Sequence, residues 1–367
     1  MKHLLVFAVL SLSIQSVIAQ SVTVSIADGQ AGRTDDQVVL KSGVAEVTGS
    51  DLSVKGNRVT NTMSWSVSPG GNKIGAMTRN GMVAYRMLDY YGNSVANTEL
   101  EFFNSSDESI AVYQFDDGRA VARDNIANFT FFDADGSVVY SISNSSQSSG
   151  GEQISRLAAD PEGKTIVLYN PVISYDSRTG SRAQIVYGQG DVTEFFRSDS
   201  REIKQVRVAD DGLFITVLTS GQASDRVHVY DRFGNEIHTM DLEPERLGVT
   251  LSGRGEFLTA YGAGRVQVFN IITGERVGSS SSRTAILYGE YIPEDETILV
   301  FGGNASGSSV ADATVIAVHV GRRQIARTNL DRTAVMREKD YLSIVRTSTG
   351  TYRMKGLNQE LEIRTSF

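Results

Sequence analysis

Residues 205–218 read Gln-Val-Arg-Val-Ala-Asp-Asp-Gly-Leu-Phe-Ile-Thr-Val-Leu, and residues 227–240 read Val-His-Val-Tyr-Asp-Arg-Phe-Gly-Asn-Glu-Ile-His-Thr-Met. Each stretch is an apolar alternating run, a tight turn at glycine, and a second apolar run. Period-two alternation such as Val227, Val229 turns one side of a strand toward a core. Glycine and aspartate supply the turn, because glycine accepts positive φ and aspartate bonds its own backbone. Two hairpins in succession make four strands in roughly 45 residues.

The same unit recurs along the chain. First hairpins begin at Trp65, Val112, Ser155, Gln205, Leu247, Leu287 and Ala334. Their turns align on Gly71, Gly118, Gly163, Gly212, Gly255, Asp295 and Asp340, spaced by 47, 45, 49, 43, 40 and 45 residues. Second hairpins begin at Tyr85, Phe129, Ile173, Val227, Val266, Val315 and Tyr352. Four strands per repeat of this length is the size of one β-propeller blade. A sandwich would not repeat one four-strand signature so evenly, and a solenoid coil would be shorter.

The second hairpins resemble the V-x-V-[FI]-[DN]-x-x-[TG] stretch of WD40-type and YVTN-type repeat propellers, through Val266-Gln-Val-Phe-Asn-Ile-Ile-Thr-Gly274 and Val227-His-Val-Tyr-Asp-Arg-Phe-Gly234. The resemblance covers about 300 residues. It carries no Trp-Asp dipeptide, no Gly-His pair and, with Trp65 the only tryptophan, no quinoprotein docking motif. The expected architecture is therefore all-β, a seven-bladed β-propeller over residues 64–367 with no cofactor. Residues 21–63 lack Phe, Tyr and Trp and form a short N-terminal β segment. Their strands either pack on the propeller or add to a blade edge, or else they make a degenerate eighth blade. The first is preferred, because a blade needs bulky residues to fill its wedge.

Residues 1–20 have a charged start at Lys2, an interrupted apolar stretch and a small residue at Ala19, the pattern of a cleaved secretory signal. The expectation is a secreted, periplasmic or surface protein without membrane insertion after cleavage. With no cysteine among 367 residues, there is no disulfide framework, no thiolate metal site and no N-terminal lipid attachment. Lys and Arg number 35 against 43 Asp and Glu, which argues against nucleic acid as the main partner.

No catalytic motif is recognisable. Histidine is scarce at 4 residues and no G-x-S-x-G elbow occurs. Asp133-Ala-Asp135-Gly136 has only part of a calcium-loop ligand set and reads as a hairpin turn. His228, His238 and His319 fall on strands of second hairpins rather than in a metal cluster.

Two candidate binding sets remain on the face formed by the second-to-third-strand loops and the links between blades. Phe195 and Phe196, like Phe102 and Phe103, would offer an aromatic platform if exposed, or fold inward as strand residues. Arg79, Arg123, Arg226, Arg265 and Arg346 lie near five such loops and would ring the channel mouth if they converge, or else pair locally, Arg123 with Asp124 and Arg226 with Asp225. The expected function is a non-enzymatic interaction module, a scaffold binding a protein or a glycan through this loop face. The alternatives are a hydrolase or lyase with carboxylates in the channel, and a structural subunit of a surface assembly. The oligomeric state is not legible in the sequence.

Overall fold

The computed structural model describes residues 21–26, 36–40, 43–48 and, with short interruptions, 51–367. Residues 1–20, Phe102, residues 144–154 and the turn expected at Asp340 lie outside the described residues. The described strands fall into eight sheets, each antiparallel throughout and four strands wide apart from one that gains a fifth. Sheets 2 to 7 each take four consecutive strands, a to d, from one repeat.

Sheet 2 holds β6 (Thr62–Val67), β7 (Lys73–Asn80), β8 (Met82–Asp89) and β9 (Ser94–Leu100). Sheet 3 holds β10 (Ala111–Gln114), β11 (Ala120–Arg123), β12 (Asn128–Phe132) and β13 (Val138–Ser143). Sheet 4 holds β14 (Arg156–Ala159), β15 (Ile166–Tyr175), β16 (Arg178–Val186) and β17 (Val192–Ser198). Sheet 5 holds β18 (Glu202–Val208), β19 (Phe214–Ser220), β20 (Asp225–Asp231) and β21 (Glu236–Leu242). Sheet 6 holds β22 (Arg246–Leu251), β23 (Phe257–Gly262), β24 (Arg265–Asn270) and β25 (Arg276–Ser281). Sheet 7 holds β26 (Ala285–Ile292), β27 (Thr297–Ser306), β28 (Ser309–His319) and β29 (Gln324–Asn329), and its fifth strand, β30 (Ala334–Val335), pairs with the start of β28.

The N-terminal segment divides between two sheets. Residues 36–59 form sheet 1 from β2 (Asp36–Leu40), β3 (Gly43–Thr48), β4 (Asp51–Val54) and β5 (Asn57–Val59). The other strand, β1 (Ser21–Ile26), becomes the outermost strand of sheet 8. Sheet 8 takes its inner three from the far end of the chain: β31 (Ser343–Ser348), β32 (Thr351–Lys355) and β33 (Leu361–Ser366). β1 and β33 pair antiparallel from Ser21↔Ser366 to Ile26↔Leu361. Of the described residues here, one strand adds to the edge of sheet 8 and four pair with one another.

Sheet 8 also corrects the reading of the last repeat. Its first hairpin is β31–β32, turning at Gly350 with φ +67°, where the repeat pattern predicts a pair beginning at Ala334. Ala334 and Val335 belong to sheet 7 as β30, and Met336 bridges to Leu357. The segment linking sheets 7 and 8 is apolar enough to imitate a strand, and it displaced the apparent repeat.

Seven apolar clusters join the sheets in chain order among the described residues. Leu52 and Val54 of sheet 1 pack with Ile74 and Leu88 of sheet 2. Tyr85 of sheet 2 stacks on Phe132 of sheet 3 at 4.2 Å between ring centroids, an arrangement worth about 1 kcal/mol beyond area burial. The series continues through Phe129 with Leu168, Ile185 with Val217, Leu218 with Leu258, and Val268 with Ile298, and ends at Phe301 with Tyr352. The first strands approach one another, β6 with β10, β14 with β18, and then β18, β22, β26 and β31 in succession. They are the inner strands around a central channel, and the fourth strands lie at the outside. The chain is an all-β propeller.

The first-hairpin turns show why glycine recurs. Gly163 has φ +63°, and a Cβ there would lie 2.7 Å from the Phe115 ring of the preceding sheet. A side chain at this turn would be strained in its backbone and would also push the neighbouring blade outward.

Candidate functional site: the loop face and the channel

The a–b and c–d turns gather on one face, and the b–c hairpins and d–a links on the other. The b–c hairpins differ in height. β15–β16 and β27–β28 are long, with strands of 10 and 9 residues and of 10 and 11 residues. Between them, sheets 5 and 6 have b–c strands of only 7 or 6 residues. The loop face is therefore a saddle, low over sheets 5 and 6 and high over sheets 4 and 7. β30 braces the taller side, where the Met336 N–H also donates to the Ser308 carbonyl at 2.7 Å.

Arginines floor this saddle. Arg226 opens the outer half of sheet 5 and donates from Nε to Asp241 Oδ1 at 2.7 Å. The two are direct cross-strand partners in the β20–β21 register. Arg226 does not pair with Asp225, because neighbours on a strand point to opposite faces. Asp225 is buried and takes Lys204 Nζ at 2.8 Å instead. Arg201, on the link into sheet 5, is held by the Thr219 hydroxyl at 2.9 Å and the Ser224 carbonyl at 2.6 Å. Burial, and then the neighbouring Arg226 guanidinium, lower its pKa. Arg265 opens β24 of sheet 6 and is exposed.

The other candidate residues lie elsewhere. Arg123 ends β11 and donates to the Ser155 carbonyl of the next sheet. Its neighbour Asp124 is buried and committed to backbone, accepting from the N–H groups of Ile126 and Asn128 at 3.0 and 2.7 Å. Arg346 is not at a b–c loop. It lies on β31 beside the a–b turn, and its Nη2 binds Asp295 Oδ1 of sheet 7 at 3.0 Å. The same Asp295 accepts from the Gly350 N–H at 3.0 Å. Burial raises the Asp295 pKa, but these donors together outweigh it and hold the carboxyl below its usual range.

Phe195 and Phe196 give no exposed platform. Phe196 is buried between sheets 4 and 5, with His228 5.1 Å from its ring. Phe195 packs edge-on against Tyr230 at 4.8 Å. They lie on β17, which fills the wedge at the outside of two blades, so the inward alternative holds. Phe103 likewise packs on the core between sheets 2 and 3.

The histidines are on strands as expected, and burial lowers the His228 pKa against the pull of Glu236. Asp133 and Asp135 both accept from the Ser137 N–H at 2.9 Å, which makes that stretch a hairpin turn. Among the described residues no group of three or more His, Cys, Asp or Glu side chains is placed to hold a metal ion. No described helix is long and apolar enough to cross a membrane.

The channel is the residue set that the repeat pattern did not single out. Its cavity, about 650 Å³, is lined by the first strands of sheets 2 to 7. Arg156 and Arg207 reach it from sheets 4 and 5, and Glu290 from sheet 7. Arg156 bonds the Tyr169 phenol, and Arg207 bonds that of Tyr261. Burial raises the Glu290 pKa, while the Tyr288 phenol and Arg207 pull it back. Tyr261 fits because two strand positions facing it are glycine: a Cβ at Gly248 would lie 2.5 Å from its hydroxyl, and one at Gly289 2.9 Å from its ring. At the a–b end the cavity becomes acidic. Burial and then Asp211, Glu294, Asp160 and Glu296 push Asp210 up to about 6. No sequence signal marks this set, because Arg207 and Glu290 are 83 residues apart and meet only when the ring forms.

No protein-family model matches the chain, and no curated protein matches it in sequence. Solved structures do share its fold. BamB from Moraxella catarrhalis superimposes with a TM-score of 0.50 at 14% identity, covering 94% of this chain and 99% of that one. Sqt1 from Saccharomyces cerevisiae gives a TM-score of 0.50 at 8% identity, covering 82% of each chain. The Dos1 propeller gives 0.49 at 11% identity, covering 85% of this chain and 79% of that one. The fold is that of the WD40-like propeller class. At these identities the likeness is one of fold.

Proposed function

We propose that this protein is an exported interaction module that docks a partner protein across its loop face. The observation that carries the reading is the saddle over sheets 5 and 6, bounded by the long hairpins β15–β16 and β27–β28 and floored by Arg201, Arg226 and Arg265. A rigid scaffold with loops of unequal height is how propellers present specific surfaces. Arginines mounted on strands recognise carboxylates with a planar fork at little entropic cost. The partner segment is accordingly acidic. A glycan carrying carboxylates presents the same chemistry, and the assay below separates the two. The first twenty residues support export, and N-terminal sequencing of the protein from its host checks cleavage after Ala19.

The test is capture from the native host envelope by in-situ cross-linking of the tagged chain, read by mass spectrometry. The unaltered protein is expected to cross-link reproducibly to one envelope protein. Arg226→Glu combined with Arg265→Glu should lose that partner by about tenfold or more, the scale of losing charge-assisted contacts. Undiminished capture by the double variant, with its melting midpoint preserved, sinks the reading. Capture of glycan alone shifts the partner to an acidic polysaccharide.

A further inference from the structure

The channel is polarised along its axis. Arg156 on β14 and Arg207 on β18 hold their guanidinium groups in the cavity, bonded to the Tyr169 and Tyr261 phenols. Just past the ends of these two strands, in their a–b turns, come Asp160 and Asp210. Asp160 is buried and committed to its turn, accepting from the Thr165 N–H at 2.6 Å and the Glu162 N–H at 3.0 Å. It contributes field at the acidic end. Asp210 is half-buried, and the charges that act on it most strongly are other carboxylates, Asp211, Glu294, Asp160 and Glu296. The remaining cation of the lining, Lys204, is engaged by Asp225.

Glu290 faces Arg207 and offsets one of the two arginines, so the arginine end keeps a net positive charge and the two ends are of opposite sign in one cavity. Two residues, Val208 and Ala209, separate Arg207 on β18 from Asp210 in the a–b turn, a span of at most about 10 Å of extended chain. An extended peptide of three residues spans about the same length. A cavity of about 650 Å³ falls in the range that holds such a ligand. A simple anion would leave the acidic end uncompensated, and a simple cation would leave the arginines so. One molecule with a carboxylate at one end and an ammonium at the other satisfies both.

We propose that the channel binds a short, extended, zwitterionic peptide, its terminal carboxylate on Arg156 and Arg207 and its terminal ammonium on Asp210. The tyrosines between the ends supply walls rather than charge, so recognition is of the termini and the length more than of the side chains. This site is separate from the loop-face saddle.

Titration calorimetry and NMR on the full chain test it, with tri-alanine and Ala-Tyr-Ala as probes. Both free peptides are expected to bind. Acetylating the amine or amidating the carboxylate should each weaken binding about tenfold or more, as loss of a charge-assisted hydrogen bond does. Arg207→Gln should weaken the free peptide but not the amidated one. Asp210→Asn should weaken the free peptide but not the acetylated one. Free and blocked peptides binding equally well overturn the proposal, and so does the absence of both heat and chemical-shift change for both free peptides. The blocked-peptide comparison uses the unaltered chain, so it stands even if a variant fails to fold. Arg226→Glu with Arg265→Glu should leave peptide binding unchanged, which keeps this outcome distinct from that of the docking experiment.

Discussion

Asp210 is the residue whose environment most disagrees with its charge. Its pKa is up at about 6 in the folded chain against 3.8 for the free side chain, chiefly through burial. The folded state therefore holds more protons than the unfolded state between those values, and stability falls as pH rises across that window. The full shift would correspond to about 3 kcal/mol, but partial exposure screens it to roughly 1 kcal/mol. Asp210→Asn should raise the denaturation midpoint at a pH of about 8 and flatten the dependence of stability on pH in the acid range, read by urea melts at several pH values. Asp124 is the opposite case, a buried carboxylate fully used by backbone and Asn128 donors. Asp124→Ala leaves those donors unsatisfied, and a loss of about 1–3 kcal/mol is expected in the same melts. At this scale the sequence was a partial guide. Residue type told that Arg226 needs a carboxylate, but only strand register supplies Asp241, fifteen positions on, in place of the adjacent Asp225. For Phe195 and Phe196, a bulge in β17, where Ala183 lies opposite Phe196 and Gln184 opposite Glu194, lets two adjacent residues pack inward, and the adjoining acid was no sign of an open loop.

Among the elements, the hairpins were legible wherever a glycine or aspartate turn separated two alternating runs, since both signals are local. Sheet 8 was not, for a physical reason. Its strands come from opposite ends of the chain, and no local pattern announces that Ser21 will lie opposite Ser366. The linker carrying β30 added a short apolar run that mimicked a blade strand. The consequence is testable at β1. Val24 pairs with Ile363 in the middle of that ladder. A proline at position 24 removes a donor from the strand and is expected to cost about 3 kcal/mol if its N–H is bonded inward. Deleting residues 21–26 should lower the melting midpoint and bare the edge of β33, seen as self-association in sedimentation. An unchanged midpoint in the deletion would mean that β1 is dispensable to the ring.

For the whole molecule, contacts run from each sheet to the next, so stability depends on neighbours more than on any single sheet. The all-β ring and the channel follow from the repeat, and these were legible because even spacing forces equivalent strands inward. The saddle was not, because it depends on how far individual hairpins rise above a common floor. If closure is made by β1 against β33, the place where the chain is cut should matter little. A circular permutant joining Phe367 to Ser21 by a short glycine linker and opened between Ser148 and Ser149 should keep its far-ultraviolet spectrum and melt within a few degrees of the parent, by about the margin that loop entropy changes allow. A large loss would place the closure elsewhere.

The ladder between β1 and β33 also has a direction. Ser21 and Ser366 are paired at the same end of it. Tension applied through the two ends of the folded chain would load those bonds one at a time, peeling the seam open rather than shearing it as a block. Held by its ends, the ring should open as a zipper does, at low force and in small steps, while the same ring pulled from any two blades would resist far longer.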